Sequence, residues 1–234
     1  MYERFAEVYD LAYNFVDYAS GARIVRNAIA TRLSGARSLL ELACGTGLYL
    51  VRLAEDFDVE GLDRSPQMLA KAAARLPGVV LHQADMAAFT TGRRYDVVCC
   101  LFRSISYLRS AKRLEAAVCA MAAHLAPGGI VLIEPFFAPD SYWTNRVTVN
   151  EARDRDTTLC WMYVSERDGL EARLRIHFLL GTCGGVEHFV EDHLLGLFSR
   201  ADFERAFSAA DLTLEFEPAG PMGTGLYIGR RRES

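Results

Sequence analysis

The chain has 234 residues, of which 51% are hydrophobic and 24% charged, a balance that excludes a disordered chain, a collagen and a coiled coil. Its formal charge of −4 argues against a broad nucleic-acid surface, which needs clustered lysine and arginine, and no stretch is long and apolar enough to span a bilayer. The six cysteines, at 44, 99, 100, 119, 160 and 183, form no CxxC pair, so the zinc pattern is missing and most read as small reduced hydrophobes.

The N-terminal Met1-Tyr2-Glu3-Arg4-Phe5-Ala6-Glu7 carries charge where a signal peptide needs an apolar run, so a cytoplasmic location is expected. Residues 1–33 read as two helices, the first with Phe5, Val8 and Tyr9 on one face, the second with Ile24, Val25, Ala28, Ile29 and Leu33. Ser38-Leu39-Leu40-Glu41-Leu42-Ala43 predicts a short apolar strand, followed by Gly45-Thr46-Gly47 and a helix over 48–55. Further strands are predicted over 59–63, 79–82, 95–101 and 130–134, with Ser65 capping a helix that has Pro66 at its first position. A helix over 111–124 stops at Pro127-Gly128-Gly129. Apolar strands alternating with helices predict an α/β fold, a Rossmann-like, doubly wound, mostly parallel sheet. Ligands in such sheets bind outside the carboxyl ends of the strands.

After Pro135 the pattern changes. Three extended stretches, 157–166, 170–180 and 186–198, are separated by Asp168-Gly169 and Cys183-Gly184-Gly185 and predict a three-stranded antiparallel insertion. A helix over 200–210 and strands over 212–217 and 226–229 close the chain, with Arg230-Arg231-Arg232 read as a frayed, solvated end. The expected organisation is a single domain over 1–234, with a helical cap over 1–35 and the insertion within 150–198.

The turn Ala43-Cys44-Gly45-Thr46-Gly47 lets the backbone approach a ligand closely. The third glycine of the dinucleotide fingerprint is missing, since Leu50 stands there, and so is the lysine of a phosphate loop. Glu41 at the loop entrance would repel a pyrophosphate and suits a cationic ligand. Asp63 ends the second strand 18 residues after Gly45, where a carboxylate can accept both hydroxyls of a ribose. Asp85-Met86 follows the third strand and suits an adenine. Three acids at three consecutive strand ends outweigh the separate reading of each as a cap or a surface charge.

These residues resemble the class I S-adenosylmethionine-dependent methyltransferases. ELACGTG, GLDRSPQML, HQADMAAF and HLAPGG match in order across 37–134. The resemblance implies S-adenosylmethionine as cofactor and no metal. It places Ala43 and Gly45 on the methionine part, Asp63 on the ribose, Asp85 and Met86 on the adenine, and Leu101 nearby. Cys44, Gly47 and Arg64 join the cofactor set.

A closer resemblance spans the chain, through AEVYDL, FRSISYL, IEPFF, GVEHFVEDH, LFSRADFERAFSAADL and GPMGTGLYIG. These stretches resemble the N-methyltransferases of nucleotide-linked deoxyamino sugars in macrolide biosynthesis. The resemblance implies a small-molecule amine substrate, an insertion that covers it, a homodimer, and neither a nucleic-acid nor a membrane partner. It places Tyr9 and Tyr107 at the acceptor amine as the catalytic candidates and Tyr18 on the cofactor. Phe102, Arg103, Ser104 and Glu134 would line the substrate pocket, and Arg173 is a candidate for the nucleotide phosphates. His177, His188 and His193, at strand spacing, read as structural or interfacial.

Departures keep other acceptors open. Arg103 replaces a serine frequent in that family, Pro135-Phe136-Phe137 replaces its PWW, and Thr224 stands where members have an arginine able to reach the phosphates. An aminonucleoside, an amino acid or a hydroxyl-bearing natural product are the alternatives. A hydroxyl acceptor would need a base that the sequence does not display. A nucleic-acid amino methylase would carry (N/D)PP(Y/F) where Leu101-Phe102-Arg103-Ser104 stands. A scaffold protein that kept only the fold would be expected to have a damaged cofactor loop.

Overall fold

A computed structural model describes residues 3–231. The N-terminal helices are α1, Glu3–Ala12, and α2, Tyr18–Ala30, the latter capped by the Asp17 carboxylate, which accepts from the Ser20 N–H. The parallel strands follow as β1 (Ser38–Leu42), β2 (Asp58–Asp63), β3 (Leu81–Gln83), β4 (Tyr95–Cys100) and β5 (Leu125–Ile133). Between them run α3 (Leu48–Leu53), α4 (Pro66–Arg75) and α5 (Ala111–Ala123). Ser65 Oγ accepts from the Met68 N–H, so the predicted cap of α4 is present.

β5 starts earlier than predicted. Pro127-Gly128-Gly129 ends no element but makes a register shift within β5, where it pairs with β4. A Cβ on Gly129 would lie 2.9 Å from the Asp96 carbonyl oxygen, so the two strands can approach only because that position is glycine.

Four strands follow: β6 (Val147–Asp154), β7 (Thr157–Asp168), β8 (Glu171–Thr182) and β9 (Gly185–Gly196). They form a separate antiparallel sheet in chain order, so the insertion has four strands and not three. The missed strand is an edge strand on which only Ala152 is buried, and an edge with mixed polarity leaves a weak alternation signal. α6 (Arg200–Ala209) opens with a capping box between Ser199 and Asp202. β10 (Glu215–Glu217) is shorter than predicted, and β11 (Leu226–Arg230) runs antiparallel to β5. Arg230 and Arg231 are not frayed: their guanidinium groups donate to the carbonyls of Arg32 and Ala122. Arg232 lies outside the described residues.

The main sheet has the order β10-β11-β5-β4-β1-β2-β3. β1 pairs in parallel with both β2 and β4, so the strand order reverses there and opens a crevice at the carboxyl ends. The sheet is buried on both faces. One layer packs Leu40, Val98 and Val131 against α5 and α6 residues such as Met121 and Phe207. The other packs Leu39, Val97 and Leu132 against α2 and α3 residues such as Val25 and Leu50. The insertion sheet lays its inner face, with Leu159, Trp161, Ile176 and Phe178, on Phe5, Val8 and Ala12 of α1. The crevice is thereby roofed by α1 and the second sheet. Among the described residues no helix is long and apolar enough to cross a membrane.

Candidate active site

A cavity of about 710 Å³ lies between the strand ends and that roof, within the size range of small-molecule sites. Its floor is built by turns that leave β1, β2 and β4. Ala43, Phe102 and Arg103 all have positive φ, 53°, 54° and 59°, a conformation that is costly without glycine and that collects at functional sites. Gly45, at φ 56°, has open space where a Cβ would stand.

Asp63 organises this floor. Its Oδ2 accepts from the Gly45 N–H at 2.9 Å and its Oδ1 from the Ser65 N–H at 2.8 Å. Burial still raises its carboxyl above the ordinary range, against the pull of those N–H groups. Glu41 is buried behind the turn, and burial together with the Asp63 carboxylate pushes it up to about 8. Its Oε2 has no hydrogen-bond partner among the described residues, and neither do the buried hydroxyls of Tyr18 and Tyr49 beside it. Unpaired polar atoms so placed are costly unless a ligand meets them. An acceptor at the foot of a glycine turn fits a ligand with a cationic amino group.

Asp85 sits at the far end of the floor. Burial works upward on its carboxyl, but the Ala87 N–H and the Arg113 guanidinium, at 2.9 and 2.7 Å from its two oxygens, outweigh it and hold the group low. Tyr9, from α1, and Tyr107, from the short 3-10 turn Ser104–Leu108 that follows β4, also line the cavity. Tyr9 belongs to an aromatic group with Phe5, 5.4 Å away, and Tyr13, 4.8 Å away.

Of the residues singled out by sequence, the cavity is lined by Tyr9, Ala43, Gly45, Asp63, Arg64, Asp85, Met86, Phe102, Arg103, Ser104 and Tyr107. Cys44, Gly47 and Leu101 stand behind the lining, in or beside the turns. Tyr18 supports it through a stacked contact with Phe102 at 5.9 Å.

Two expectations are corrected. Glu134 does not line the pocket. It is fully buried and accepts from the N–H groups of Phe102, at 2.8 Å, and Met222, at 2.6 Å, so it ties the turn after β4 to the C-terminal loop. Burial raises it to about 7. Arg173 does not reach the cavity, because it is exposed on the outer face of β8 while Leu174 and Ile176 face inward.

Sequence reasoning also missed a residue. The three insertion histidines separate: His177 and His188 stack on each other on the exposed face, 3.2 Å apart, whereas His193 is buried, lines the cavity and meets the Tyr107 hydroxyl at 2.8 Å. The signal was available. His188 and His193 are five residues apart on one strand, and an odd spacing puts them on opposite faces. Among the described residues no group of three or more histidine, cysteine or acidic side chains could hold a metal.

Comparison with known proteins gives the family. Residues 39–129 match a methyltransferase domain. The chain is 40% identical, over 96% of both chains, to a dTDP-3-amino-3,4,6-trideoxy-alpha-D-glucopyranose N,N-dimethyltransferase of Streptomyces venezuelae. It is 34% identical to a dTDP-4-amino-2,3,4,6-tetradeoxy-D-glucose N,N-dimethyltransferase of Saccharopolyspora spinosa, over 97% of this chain and 92% of that one. Among solved structures, the S-adenosylmethionine-bound amino pentose methyltransferase CalS10 of Micromonospora echinaspora superposes with a TM-score of 0.88 at 36% identity, covering 96% of this chain and 97% of that one. The chain therefore belongs to the S-adenosylmethionine-dependent methyltransferase family that contains the dTDP-amino-sugar N,N-dimethyltransferases.

Proposed function

We propose that this methyltransferase acts on the amino group of a small natural-product intermediate, a nucleotide-linked deoxyamino sugar. The observation that carries the proposal is the polarity of the cavity, with carboxylates and a glycine turn on its floor and Tyr9 and Tyr107 facing the same space. The substrates in the names of both relatives are amino sugars joined to dTDP.

S-adenosylmethionine supplies an electrophilic methyl group on a sulfonium. Glu41 and the turn Ala43, Cys44, Gly45 and Gly47 would hold its methionine end, with Tyr18 closing from α2. Asp63 and Arg64 would take the ribose, Asp85 and Met86 the adenine, and Leu101 would back them. Tyr9, Phe102, Ser104 and Tyr107 would surround the acceptor amine. Arg103, whose guanidinium also donates to the Met222 carbonyl and lies 5.0 Å over Phe137, is the cation offered to the phosphates. Arg173, on the outer face, is left out of the acceptor set. The residues work chiefly by alignment, which can supply roughly 7–11 kcal/mol of the barrier.

A second reading, a different small amine, is favoured by Thr224. Its hydroxyl is buried and without a partner among the described residues, so this position supplies no cation to a diphosphate. The chain would act as one methyltransferase domain, the cap over 1–35 and the insertion within 150–198 covering the substrate. A homodimer is supported by the outer face of the insertion sheet, where Val147, Val149, Met162, Val164, Leu179 and Val190 stay exposed. A cytoplasmic location is supported by cysteines that are all free.

The test is calorimetric titration with S-adenosylhomocysteine, then methyl transfer over dTDP-3-amino and dTDP-4-amino sugars, aminonucleosides and amino acids. Turnover of a dTDP-amino sugar is expected. Turnover of another amine alone would overturn the sugar and keep the chemistry. Absence of cofactor binding would remove the roles given to Glu41, Asp63 and Asp85.

A further inference from the structure

Where the turn after β4 meets the insertion sheet, a hydrogen bond has a direction with a chemical consequence. The Tyr107 hydroxyl and His193 Nδ1 are 2.8 Å apart, and both side chains line the cavity. Their elements are locked together in three ways. β9 passes so close to the end of the Tyr107 turn that a Cβ on Gly196 would stand 2.9 Å from the Arg109 Cα. Arg109 Nε pairs with Glu171 of β8 at 2.5 Å. Tyr107 itself packs against the cluster of Tyr142, Ala172, Leu195 and Leu197. The distance between the two polar atoms is thus set by strand and turn, not by two mobile side chains.

We propose that His193 is a positioning residue for methyl transfer: its Nδ1 accepts the Tyr107 O–H, so that the Tyr107 oxygen presents only lone pairs to the cavity and captures an N–H of the acceptor amine. This role rests on the amine methylation proposed for the site. The reason is one of polarity. A free tyrosine hydroxyl can donate or accept. If it donated to the amine it would occupy the lone pair that must attack the methyl carbon. If it accepts, it orients the nitrogen by a hydrogen and leaves the lone pair directed at the donor.

The transfer balances without a base on the protein. The nitrogen lone pair forms the N–C bond while the S–C bond breaks and its electron pair stays on sulfur. The nitrogen keeps its hydrogens, becomes cationic and continues to donate to the Tyr107 oxygen. The surplus proton leaves to water with the product. His193 does not take it. Burial holds the imidazole down to about 4, although the Asp192 carboxylate next to it pulls upward, so the ring is neutral at physiological pH and is a poor sink for an ammonium proton.

The experiment uses the full chain. ¹⁵N NMR of histidine-labelled protein, matched against His193→Phe to assign the signal, reads the tautomer without substrate. The expected result is a neutral ring protonated on Nε2, and a ring protonated on Nδ1 overturns the proposal. Turnover is then compared among wild type, His193→Phe, His193→Asn and Tyr107→Phe. Loss of the acceptor in His193→Phe is expected to lower kcat about tenfold, roughly 1.4 kcal/mol, with S-adenosylhomocysteine affinity within about twofold. His193→Asn, which places an amide oxygen near the Nδ1 position, is expected to restore most of that loss. In the Tyr107→Phe background His193→Phe should cost nothing further, because it acts through the hydroxyl. Additive losses, or an unchanged kcat in His193→Phe, would overturn the role. A wild type that binds S-adenosylhomocysteine but methylates no amine would instead overturn the proposed function, and the tautomer then decides His193 alone.

Discussion

The two walls of the cavity are held by different physics. The floor is polar and local: Asp63 accepts from Gly45 and Ser65, and Glu41 stands one turn away with an acceptor unused among the described residues. The roof is held mainly by apolar, long-range packing. α1 contributes Phe5 and Val8, and the insertion sheet contributes Trp161, Ile176 and Phe178. On the proposed function the floor takes an unchanging cofactor, which a few fixed hydrogen bonds suit well. On the same reading the roof closes over the acceptor, and apolar packing from distant segments gives it its shape. Within families sharing the floor, acceptor choice is therefore expected to sit in the roof.

The sharpest way to break that comparison is to weaken the roof alone. Phe178 is buried, with ring centroids 5.0 Å from Phe5 and 4.9 Å from Phe189. Phe178→Ala is expected to destabilise by about 3–5 kcal/mol, as large-to-small core changes of this kind do. Measured by urea unfolding, the loss should appear in the transition that includes α1 and the insertion. Calorimetry on the folded fraction should find S-adenosylhomocysteine affinity within about twofold of wild type. A parallel collapse of cofactor affinity would show that floor and roof are one cooperative unit.

The floor is tested through its buried acid. Glu41 is raised from 4.5 to about 8 by burial and the Asp63 carboxylate, so it is mostly protonated at pH 7 before ligand binds. A cationic amino group against Oε2 favours the ionised form. Binding of S-adenosylhomocysteine is then expected to release close to one proton near neutrality, read from calorimetry in buffers of different ionisation enthalpy, and to tighten as pH rises toward 8. Because the folded state holds this proton more tightly than the unfolded chain, its contribution to stability is complete below about 4.5 and is lost as pH climbs through about 8. Glu41→Gln should remove the proton release, flatten that slope and weaken binding about tenfold, roughly 1.4 kcal/mol. Unchanged proton release in the variant would assign it to another group.

The same contrast explains what the sequence disclosed. Each floor acid lies at or just beyond the carboxyl end of a strand, so Glu41, Asp63 and Asp85 are visible in one pass along the chain. The strain there was not: nothing in Ala43, Phe102 or Arg103 announces a positive φ, which the surrounding turns impose. Glu134 also follows a strand and by sequence reads as a pocket residue, but its second partner, the Met222 N–H, lies 88 residues further on, and a contact of that separation leaves no local mark. In the insertion, period-two alternation was enough to put Arg173 and His188 outside and His193 inside once the register was known. The missing information was which face met α1, and that is decided by packing between segments far apart in the chain.

A carboxylate on α1 helps to join the two walls, and its removal should have the smallest effect. Asp10, on α1 next to Tyr9, accepts from Thr46 Oγ1 at 2.6 Å and pairs with Arg75 of α4 at 2.5 Å. Arg75 also donates to the Thr46 carbonyl. The glycine turn of the floor is thus tied by one carboxylate to the helix that carries a roof tyrosine. Asp10→Asn keeps an acceptor for Thr46 but neutralises the pair, which is partly exposed and worth only about 1 kcal/mol after solvent screening. The expected outcome is a three- to fivefold rise in acceptor KM, about 0.7–1 kcal/mol, with kcat and S-adenosylhomocysteine affinity nearly unchanged, because α1 loosens over a floor that Asp63 still holds. Steady-state kinetics with the acceptor varied at saturating cofactor separates the cases. A fall in cofactor affinity with no change in acceptor KM would mean that the carboxylate steadies the turn and not the helix, and would move Asp10 from the join between the walls to the floor.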